Sequence, residues 1–421
     1  MGVKDAWSFL KKQFGLEGNP VDPKASSRPV HVDTLSIFRA YILATGYYIL
    51  KDLFWQRLRA SRSKHQDAGI LNDEYLEEAW IKRLMTRLNN RLLQHFRQAS
   101  SVLHIDGAPS VQKAQARSER QEKQGESLNK LQVSLNKVQD LLGQASQTDA
   151  VSRSRKDKLV REAHTAQQLW KAARTLDNEM KEMLAEELQD LGWSVCRCDG
   201  EADVCIAGQQ GPITVATTDG DFLFLGVDTI LRQDPENRSS FREFSIQDIL
   251  ETLDIGQEAW TAVGVVTKND YCKNIPEHAI STNFKALQPI SMSGISDPEG
   301  ILDEYCSRVS KKTKKSYDRS MFQLAYDVFF NHHEDLEENP TASSFFDYTI
   351  MDMLTAVENV LQRYRRSRRP PKTVSSTLGM VDAQMTDAQE NPSDGSPSDG
   401  TQDAMQVDSS DGTQEDAPDN V

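Results

Sequence analysis

The most informative segment of this chain of 421 residues is Ile213-Thr214-Val215-Ala216-Thr217-Thr218-Asp219-Gly220-Asp221. Its first five residues are apolar or β-branched, which is typical of a buried strand. Two carboxylates, Asp219 and Asp221, follow the end of that strand. The same order recurs where Asp33 ends the run Pro29–Asp33 and where Asp106 follows the run Val102–Ile105. The chain therefore repeats a unit in which a short strand is followed directly by an acidic residue.

Two more apolar runs are followed by acids. Glu201 and Asp203 come after the predicted strand Ser194–Cys198, and Asp270 comes after the run Ala262–Val266. Long segments separate the short strands, so we predict an α/β fold of three layers, with a central, mostly parallel sheet covered by helices on both faces. Ligands bind beyond the carboxyl edge of such a sheet. Seven acids are expected to meet at that edge: Asp33, Asp106, Glu201, Asp203, Asp219, Asp221 and Asp270.

The segments between the strands are predicted to be mainly helical. Residues 111–190 contain no proline, and apolar residues recur at spacings of three and four from Leu128 to Leu142 and again from Ala166 to Met183. We interpret this segment as an antiparallel helical hairpin inserted between two strands. One further strand is predicted at Phe222–Leu225. The other segments with predicted helices are residues 36–58, 72–99, 245–310, 311–336 and 346–366.

Seven carboxylates at one edge of a sheet predict a metal site. A single acid at a strand end is more often a turn former or a helix cap, so the prediction depends on their joint arrangement. Like charges at close range raise each other's pKa, so these acids stay ionised together only when cations compensate them. Carboxylate oxygens suit Mg²⁺ or Mn²⁺. Two such ions can clamp the attacking and the leaving oxygens of a phosphodiester, which predicts metal-dependent hydrolysis of nucleic acid.

The order of these motifs resembles the flap-endonuclease/XPG nucleases. The similarity covers roughly residues 1–335, with a helical insertion near 55–95. Lys113 and the run Arg117-Ser118-Glu119-Arg120 follow the second acidic motif, as in that family. The stretches that carry the resemblance are Met1–Trp7, Val32-Asp33 with Ser36-Ile37, His104–Pro109, Gly200–Ala207, Ala216–Asp221 and Asn269–Cys272.

The resemblance implies a PIN-like fold with an inserted helical arch and a C-terminal helical region. It implies that Lys113 contacts the scissile phosphate and that Arg120, or Arg117 if the helix is shifted, stabilises charge in the transition state. It also assigns Gly2 to nucleic-acid binding. The implied ligand sets are Asp33, Asp106, Glu201 and Asp203 for one ion, and Asp219, Asp221 and Asp270 for the second, with Asp203 as a bridge between the two ions.

The sequence departs from the family pattern in three places. Asp203 stands where the family has Glu, and Lys268 stands before Asp270 where the family has a small residue. The segment Lys273–Ile280 contains neither glycine of the Gly-x-Gly hairpin with which the family grips duplex backbone beside a bound K⁺. Without these glycines, backbone amides approach a phosphate less closely.

The predicted organisation ends in an acidic tail. The formal charge is −14, and residues 371–421 carry 11 Asp and Glu against one Lys. Their Ser, Asp, Gly and Pro content without periodicity predicts disorder, and we expect the tail to shield basic surfaces or to bind a protein partner.

The sequence divides into six predicted parts. They are 1–110 (first part of the nuclease domain with a helical insertion), 111–190 (arch), 191–245 (second part of the nuclease domain), 246–340 (degenerate helix–two-turn–helix-like region), 341–369 (C-terminal helix with a basic cluster) and 370–421 (tail).

Cysteine and charge patterns indicate the compartment. The five cysteines show no short disulfide framework, and no secretory signal or apolar span of about 20 residues is evident, so we expect an intracellular protein without membrane contact. Five arginines between 363 and 369 predict nuclear localisation or a nucleic-acid contact, with the cytoplasm as the other compartment. Non-specific phosphate binding, or only a solvated helix start, is predicted for Lys311, Lys312, Lys314 and Lys315.

Three cysteines invite a second interpretation. Cys196 and Cys198 alternate on a predicted strand and so point to one face, and Cys205 follows nearby. A structural zinc site needs four ligands, and the sequence shows no evident fourth one.

The sequence therefore predicts a hydrolase of ester bonds: a Mg²⁺-dependent, structure-specific endonuclease or 5′ exonuclease that acts on 5′ flaps or related DNA structures, as in DNA repair. One alternative is a catalytically weak or inactive nuclease-fold scaffold or RNA regulator, which the missing glycine hairpin and Lys268 favour. Another is an RNA-directed nuclease on the same fold. Retention of all seven acids favours an active enzyme, because a scaffold has no need for mutually repelling charges.

Overall fold

A computed structural model of the chain describes residues 2–60, 73–146, 152–173 and 178–337, together with 176, 353, 356–357 and 359–361. The predicted acidic tail, the arginine cluster at 363–369 and most of the predicted helix at 346–366 lie outside the described residues. No helix within these ranges is both long enough and apolar enough to cross a membrane.

The described residues form a central sheet of seven strands. The strands are β1 (Asn19–Val21), β2 (Val30–Asp33), β3 (Ser101–Ile105), β4 (Ser194–Arg197), β5 (Thr214–Thr217), β6 (Thr229–Gln233) and β7 (Phe241–Ser245). Their order across the sheet is β1-β7-β6-β5-β2-β3-β4. Strands β4, β3, β2, β5 and β6 are mutually parallel, whereas β7 is antiparallel to both β6 and β1. The prediction of a mostly parallel sheet is confirmed.

Helices cover both faces of the sheet. They are α1 (Ala6–Phe14), α2 (Thr34–Ala60), α3 (Asp73–His95), α4 (Ala114–Ser146), α5 (Arg153–Ala173), α6 (Asn178–Asp190), α7 (Ala202–Ala207), α8 (Ile246–Leu253), α9 (Gln257–Val266), α10 (Ile280–Ser291), α11 (Pro298–Thr313) and α12 (Gln323–Asn331). Val32 and Leu103 pack with residues of α2 to α6 in one core. Val215 and Ile230 pack with α1 and with α7 to α12 in a second core on the other face. The predicted three-layer α/β/α class is confirmed.

The segment between β3 and β4 contains the inserted helices. Helices α4 and α5 pack side by side, with Leu135 and Ala163 in their shared core. Ser134 Oγ donates a hydrogen bond to the carbonyl oxygen of Glu162 at 3.3 Å. The apolar seam at spacings of three and four explains this pairing, because those positions lie on one stripe of each helix. Helix α6 then returns to the sheet beside β4.

The strand order creates a switch point between β2 and β5. From β2 the chain crosses to β3 and β4 on one side, and it later returns to β5 and β6 on the other side of β2. Crossovers that diverge in this way leave a crevice at the carboxyl ends of the two central strands, where α/β proteins bind ligands. Asp33 is the last residue of β2, and Thr217 is the last residue of β5.

The predicted strand at Phe222–Leu225 is wrong, whereas the run Ala262–Val266 lies in the segment 245–310 that was predicted to be helical, although Asp270 after it was counted among the acids at strand ends. Phe222–Leu225 begins in a short 3₁₀ turn at Asp221–Leu223, and all four residues are buried. Ala262–Val266 is the end of helix α9, which is buried on every side at these positions. A short continuous apolar run is compatible with either a buried strand or a buried helix, so periodicity could not separate them. Asp270 therefore follows a helix and not a strand. Strands β1, β6 and β7 were not predicted from the sequence.

Candidate active site

Five separate segments deliver the seven acids to the switch point. Asp33 ends β2, and Asp106 follows β3. Glu201 precedes the first residue of α7, and Asp203 lies in the first turn of that helix. Asp219 and Asp221 follow β5, and Asp270 lies in the loop after α9.

Mutual repulsion links these acids into one group. Besides burial, the charges of Asp106 and Asp219 raise the pKa of Asp33, and the charges of Asp219, Asp203 and Asp270 raise the pKa of Asp221. Besides burial, the charges of Asp203 and Asp106 raise the pKa of Glu201. The structure therefore brings together all seven acids that the sequence singled out, including Asp270, which arrives from a helix.

Two hydrogen bonds orient the buried carboxyl group of Asp33. Thr217 Oγ1 donates to Asp33 Oδ2 at 2.9 Å, and the backbone N–H of Ser36 donates to Asp33 Oδ1 at 3.1 Å. Burial, followed by the charges of Asp106 and Asp219, raises the pKa of Asp33 well above its usual value. These donors orient the carboxyl group but do not offset the burial and repulsion that disfavour its charge.

Asp221 is the most deeply buried acid of the group, at 1% exposure. The backbone N–H of Val3 donates to Asp221 Oδ1 at 2.6 Å. Asp221 Oδ2 is buried and has no hydrogen-bond partner among the described residues. Burial and the charges of Asp219 and Asp203 raise the pKa of Asp221 well above its usual value. A buried carboxylate oxygen without a partner is costly, and a cation bound there would remove that cost.

The start of the chain packs directly against these acids. Gly2 has φ of +85°, a left-handed conformation that favours glycine. A Cβ atom built on Gly2 would lie 2.0 Å from Asp219 Oδ1 and 2.8 Å from Asp221 Oδ1. Only glycine fits this position without displacing the carboxylates.

Lys113 is the one buried cation that pairs with the acids in the described part of the chain. Its Nζ lies 3.2 Å from Glu201 Oε2 and 3.3 Å from Asp203 Oδ2. Burial alone would lower the pKa of Lys113, but the charges of Asp203 and Glu201 outweigh it and raise the pKa well above its usual value. Tyr271 also donates from its hydroxyl to Asp203 Oδ2 at 3.3 Å. Lys113 is thus held as a cation at the site.

The structure distinguishes the two candidate arginines. Arg120 forms an ion pair with Asp270. Arg117 instead pairs with Glu337 and donates to the carbonyl oxygen of Ser110. Arg120 therefore faces the carboxylates, whereas Arg117 links the N-terminal end of α4 to the segment that follows α12.

Glu334 is an eighth acid at this site that sequence reasoning missed. Its Oε1 accepts a hydrogen bond from the backbone N–H of Glu201 at 2.6 Å, and its Oε2 is buried without a partner in the described residues. Burial, followed by the charges of Asp203 and Glu201, raises the pKa of Glu334 to about 7. Glu334 follows helix α12, so the pattern of an acid after a strand could not identify it.

Two clefts carry positive side chains beside the acids. One, of about 580 Å³, is lined by Lys4, Arg120, Lys123 and Lys268, and also by Asp5, Glu119 and Asp270. The other, of about 470 Å³, is lined by Arg91, Arg232 and Arg238, and also by Asp234. Lys268, the departure before Asp270, thus lies in a cleft of mixed charge next to the carboxylates.

The predicted basic patch lies apart from these clefts. Lys311, Lys312, Lys314 and Lys315 are exposed at the C-terminal end of α11, and none of them lines either cleft. Lys312 instead lines a cleft of about 440 Å³ together with Lys285 of α10 and Arg308 of α11.

The loop between α9 and α10 is built without glycine. Glu277 takes a left-handed φ of 67°, which is uncommon for a residue with a side chain. Asn283 is fully buried, and its Nδ2 donates to the carbonyl oxygens of Val266 and His278 at 3.2 and 3.3 Å. Side-chain hydrogen bonds thus hold the turn in the segment where the resembled family has a Gly-x-Gly hairpin.

Comparisons with known proteins find likeness in fold only. No family model matches the sequence, and no curated protein matches it. The similar solved structures include the catalytic core of Rad2 in complex with DNA substrate, at 14% identity and a TM-score of 0.44, covering 86% of this chain and 96% of that one. Human GEN1 in complex with Holliday junction DNA has 12% identity and a TM-score of 0.39, with coverages of 87% and 79%.

The resembled family is represented among these structures. The bacteriophage T5 D15 flap endonuclease, in a pseudo-enzyme-product complex with DNA and metal ions, has 10% identity and a TM-score of 0.33, with coverages of 68% and 91%. Similarity as remote as this says nothing about activity.

Proposed function

We propose that the chain is a divalent-metal-dependent nuclease that hydrolyses phosphodiester bonds of DNA at 5′ flaps or related structures. The observation that carries the proposal is the meeting of seven carboxyl groups at the switch point, with Asp221 Oδ2 buried and without a partner in the described residues. Mutual repulsion and burial make this group unfavourable unless cations bind there.

The chemistry of the donor set fits Mg²⁺ or Mn²⁺. All seven groups are hard oxygen donors, which these ions prefer. Asp33, Asp106, Glu201 and Asp203 would hold one ion, and Asp219, Asp221 and Asp270 the second. Bound at this site, the two ions supply Lewis-acid polarisation of a phosphodiester and a lowered pKa for a water molecule.

The side chains around the acids orient them for this role. Thr217 and Ser36 fix Asp33, and Tyr271 holds Asp203 through its hydroxyl. Donors of this kind restrict the rotation of carboxylates that must point at a common centre. Gly2 allows the chain start to approach Asp219 without a steric clash.

Lys113 and Arg120 are the cations that would meet the scissile phosphate. Both are paired with acids of the group, Lys113 with Glu201 and Asp203 and Arg120 with Asp270. When other cations compensate these acids, the two side chains are already in place to donate to phosphate oxygens. Donors that are positioned in advance stabilise charge in the transition state without reorganisation.

The cationic side chains of the two clefts support a nucleic acid as substrate. Lys4, Lys123 and Lys268 line the cleft that includes Asp270, and Arg91 and Arg238 line the cleft that includes Ser36 and Thr218. A polyanion bound at the carboxylates would have these cations within reach, which favours backbone contacts that are independent of sequence.

The experiment is a cleavage assay with the full chain. End-labelled 5′-flap DNA, single-stranded DNA, duplex DNA and an all-RNA flap are incubated with Mg²⁺, with Mn²⁺ or with chelator. We expect metal-dependent cleavage of the DNA flap, its loss in Asp221→Asn and its retention in Asp190→Asn. Asp190 is an exposed acid at the end of α6, so this control removes one charge away from the group.

Two outcomes would refute the proposal. One is the absence of cleavage of every substrate in both metals. The other is full activity of Asp221→Asn. Cleavage of the RNA flap alone would replace DNA by RNA as the substrate class.

We also propose that the protein acts in the nucleus, on the basis of the arginines between 363 and 369. A fluorescent fusion of the full chain should accumulate in the nucleus, and replacement of these arginines by alanine should return it to the cytoplasm. Unchanged nuclear accumulation of the alanine variant would refute this assignment.

A further inference from the structure

A second cluster of metal-ligating side chains lies beside the acids. It consists of His104 on β3, Cys196 on β4, Cys198 just after β4 and Cys205 in α7. One ligand atom from each of the four lies within 4.8 Å of the others. His104 and Cys198 are buried, and Cys196 and Cys205 are half-buried.

Strand register explains why these residues meet. His104 and Cys196 are directly paired across the parallel strands β3 and β4, so their side chains leave the sheet on the same face. Cys198 follows two residues later and points the same way. Helix α7 packs on β3, and this packing places Cys205 in contact with His104. His104 is therefore the fourth ligand that the sequence did not show.

The distances match a tetrahedral zinc site. Sγ of Cys205 lies 3.7 Å from Sγ of Cys196 and 3.7 Å from Nδ1 of His104, and Sγ of Cys198 lies 3.8 Å from the same Nδ1. Zinc bonds of about 2.3 Å to sulfur and 2.0–2.1 Å to nitrogen, arranged as a tetrahedron, require distances between ligands of about 3.5–3.8 Å. A disulfide would need the two sulfurs at about 2.05 Å.

His31 supports the geometry of His104. Its Nδ1 lies 3.0 Å from Nε2 of His104. When Nε2 of His104 donates its hydrogen to His31, Nδ1 of His104 keeps a lone pair, and that nitrogen is the one directed at Cys198 and Cys205. Metal-binding histidines commonly donate their second N–H to a neighbouring group in this way.

We propose that His104, Cys196, Cys198 and Cys205 bind one Zn²⁺ in a closed structural site. Three thiolates and one imidazole complete a tetrahedral shell, which leaves no position for a substrate. Sulfur and imidazole ligands select zinc, whereas the neighbouring carboxylates suit Mg²⁺ or Mn²⁺. The half-buried sulfurs of Cys196 and Cys205 leave a route by which the ion can enter.

The site ties together three elements that carry the acids. His104 is two residues before Asp106, and Cys205 is two residues after Asp203. An ion shared by β3, β4 and α7 would therefore fix the spacing between Asp106 and Asp203. Because metal binding couples to folding, its removal should lower the thermal stability of the whole domain. This role does not depend on nuclease activity.

The test measures zinc in the full chain, expressed and purified under reducing conditions with zinc in the medium. After dialysis against a weak chelator, elemental analysis should find about one zinc ion per chain. Cobalt-exchanged protein should show the visible absorption of tetrahedral cobalt thiolate. Cys205→Ser should lose the ion, whereas Cys306→Ala, which removes a buried cysteine of α11 outside the cluster, should retain it.

A substitution outside the four ligands tests the supporting histidine. His31→Ala should lower zinc affinity by about 10- to 100-fold, as measured by competition with a chromophoric chelator. The proposal is overturned if the wild-type chain holds no zinc above the level of the dialysis buffer. It is equally overturned if alkylation and mass spectrometry of protein kept under reducing conditions show Cys196 joined to Cys205 in a disulfide. Both readouts use the wild-type chain, so a variant that fails to fold cannot obscure them.

Discussion

The acid group and the Cys/His cluster lie side by side on the same elements, yet they differ in what completes them. Asp106 follows His104 by two positions along β3, and Asp203 precedes Cys205 by two positions in the α7 segment. The thiols and imidazole already contact one another at 3.7–3.8 Å. The carboxylates repel one another, and they include an oxygen without a partner in the described residues.

The difference suggests a rule: the position of a metal-ligating residue, inside a strand or just beyond its end, determines whether its ion is structural or catalytic. His104 on β3 lies beneath α7, so the soft ligands gathered around it form a closed cluster that suits a structural ion. Residues just beyond the strand ends lie next to the open clefts, so hard ligands there can share their ions with a substrate. One predicted ion is therefore part of the fold, and the other two belong to the chemistry.

The sharpest test of this contrast is Asp221→Asn, because it should change activity and stability in opposite directions. Loss of a metal ligand should reduce cleavage by about 10³-fold or more, which corresponds to about 4 kcal/mol of transition-state stabilisation. In chelator at neutral pH, the same change removes a carboxyl group that folding must either protonate or bury as a charge, so it should raise the melting temperature. Single-turnover cleavage and differential scanning calorimetry measure the two effects. A lower melting temperature in chelator would contradict the view that this carboxylate is strained without metal.

Lys113→Met should produce the next largest effect. Removal of a positioned cation should lower the single-turnover rate by about 10²- to 10³-fold. It should also lower the melting temperature in chelator, because Glu201 and Asp203 then lose their shared cation, and Mg²⁺ should restore part of that loss. Arg117→Met is the matched control, since Arg117 pairs with Glu337 and not with the acid group. Equal rate losses in the two variants would argue against a specific role for Lys113.

Gly2→Ala should have a smaller effect and lower the cleavage rate by about tenfold. A side chain in a left-handed conformation costs about 1–2 kcal/mol. In addition, the new Cβ would displace Asp219. Gly15→Ala provides a close control. Gly15 also has a positive φ, of 67°, but a Cβ built there meets nothing within 4 Å. It should therefore lower the melting temperature without a matching loss of activity. Equal activity of both variants would show that the approach of Gly2 to the acids is dispensable.

The sequence predicted the three-layer fold and the meeting of the acids because both depend on local patterns. Asp33, Asp106 and Asp219 each follow a short apolar strand, and parallel strands share one carboxyl edge. Asp270 lies in the acid group as expected, but it was expected there because the run Ala262–Val266 was treated as the end of a strand. That run is the end of helix α9, and a buried helix and a buried strand have the same apolar composition over five residues. The metal-binding and catalytic roles of these residues stay predictions.

Two features could not be read from the sequence because each depends on long-range register. His104 faces Cys196 only because β3 pairs with β4 across three inserted helices. Glu334 reaches Glu201 only because the segment after α12 folds back over the base of α4, where Val111 donates its backbone N–H to Asp335 at 2.7 Å. Neither contact leaves a periodic pattern in the residues that make it.

The smallest predicted effect concerns Glu334, and it depends on pH. The pKa of Glu334 is raised from 4.5 to about 7 in the folded chain. A raised pKa means that its contribution to stability is fully present below about 4.5 and is lost as the pH rises through 7, because the folded protein must then ionise Glu334 beside Asp203 and Glu201. Glu334→Gln keeps an oxygen that can accept from the backbone of Glu201 but cannot ionise.

In chelator, Glu334→Gln and the wild type should therefore melt alike near pH 4.5 and diverge as the pH rises from about 4.5 to about 7. Above pH 7 the variant should stay more stable by about 1–2 °C after allowance for solvent screening. Calorimetry across this range measures the divergence. Glu337→Gln, in the same segment but paired with Arg117, should not reproduce it. Saturating Mg²⁺ should shrink the divergence, because bound cations offset the repulsion that raises the pKa of Glu334. A constant offset at every pH would mean that Glu334 acts through packing and not through its charge.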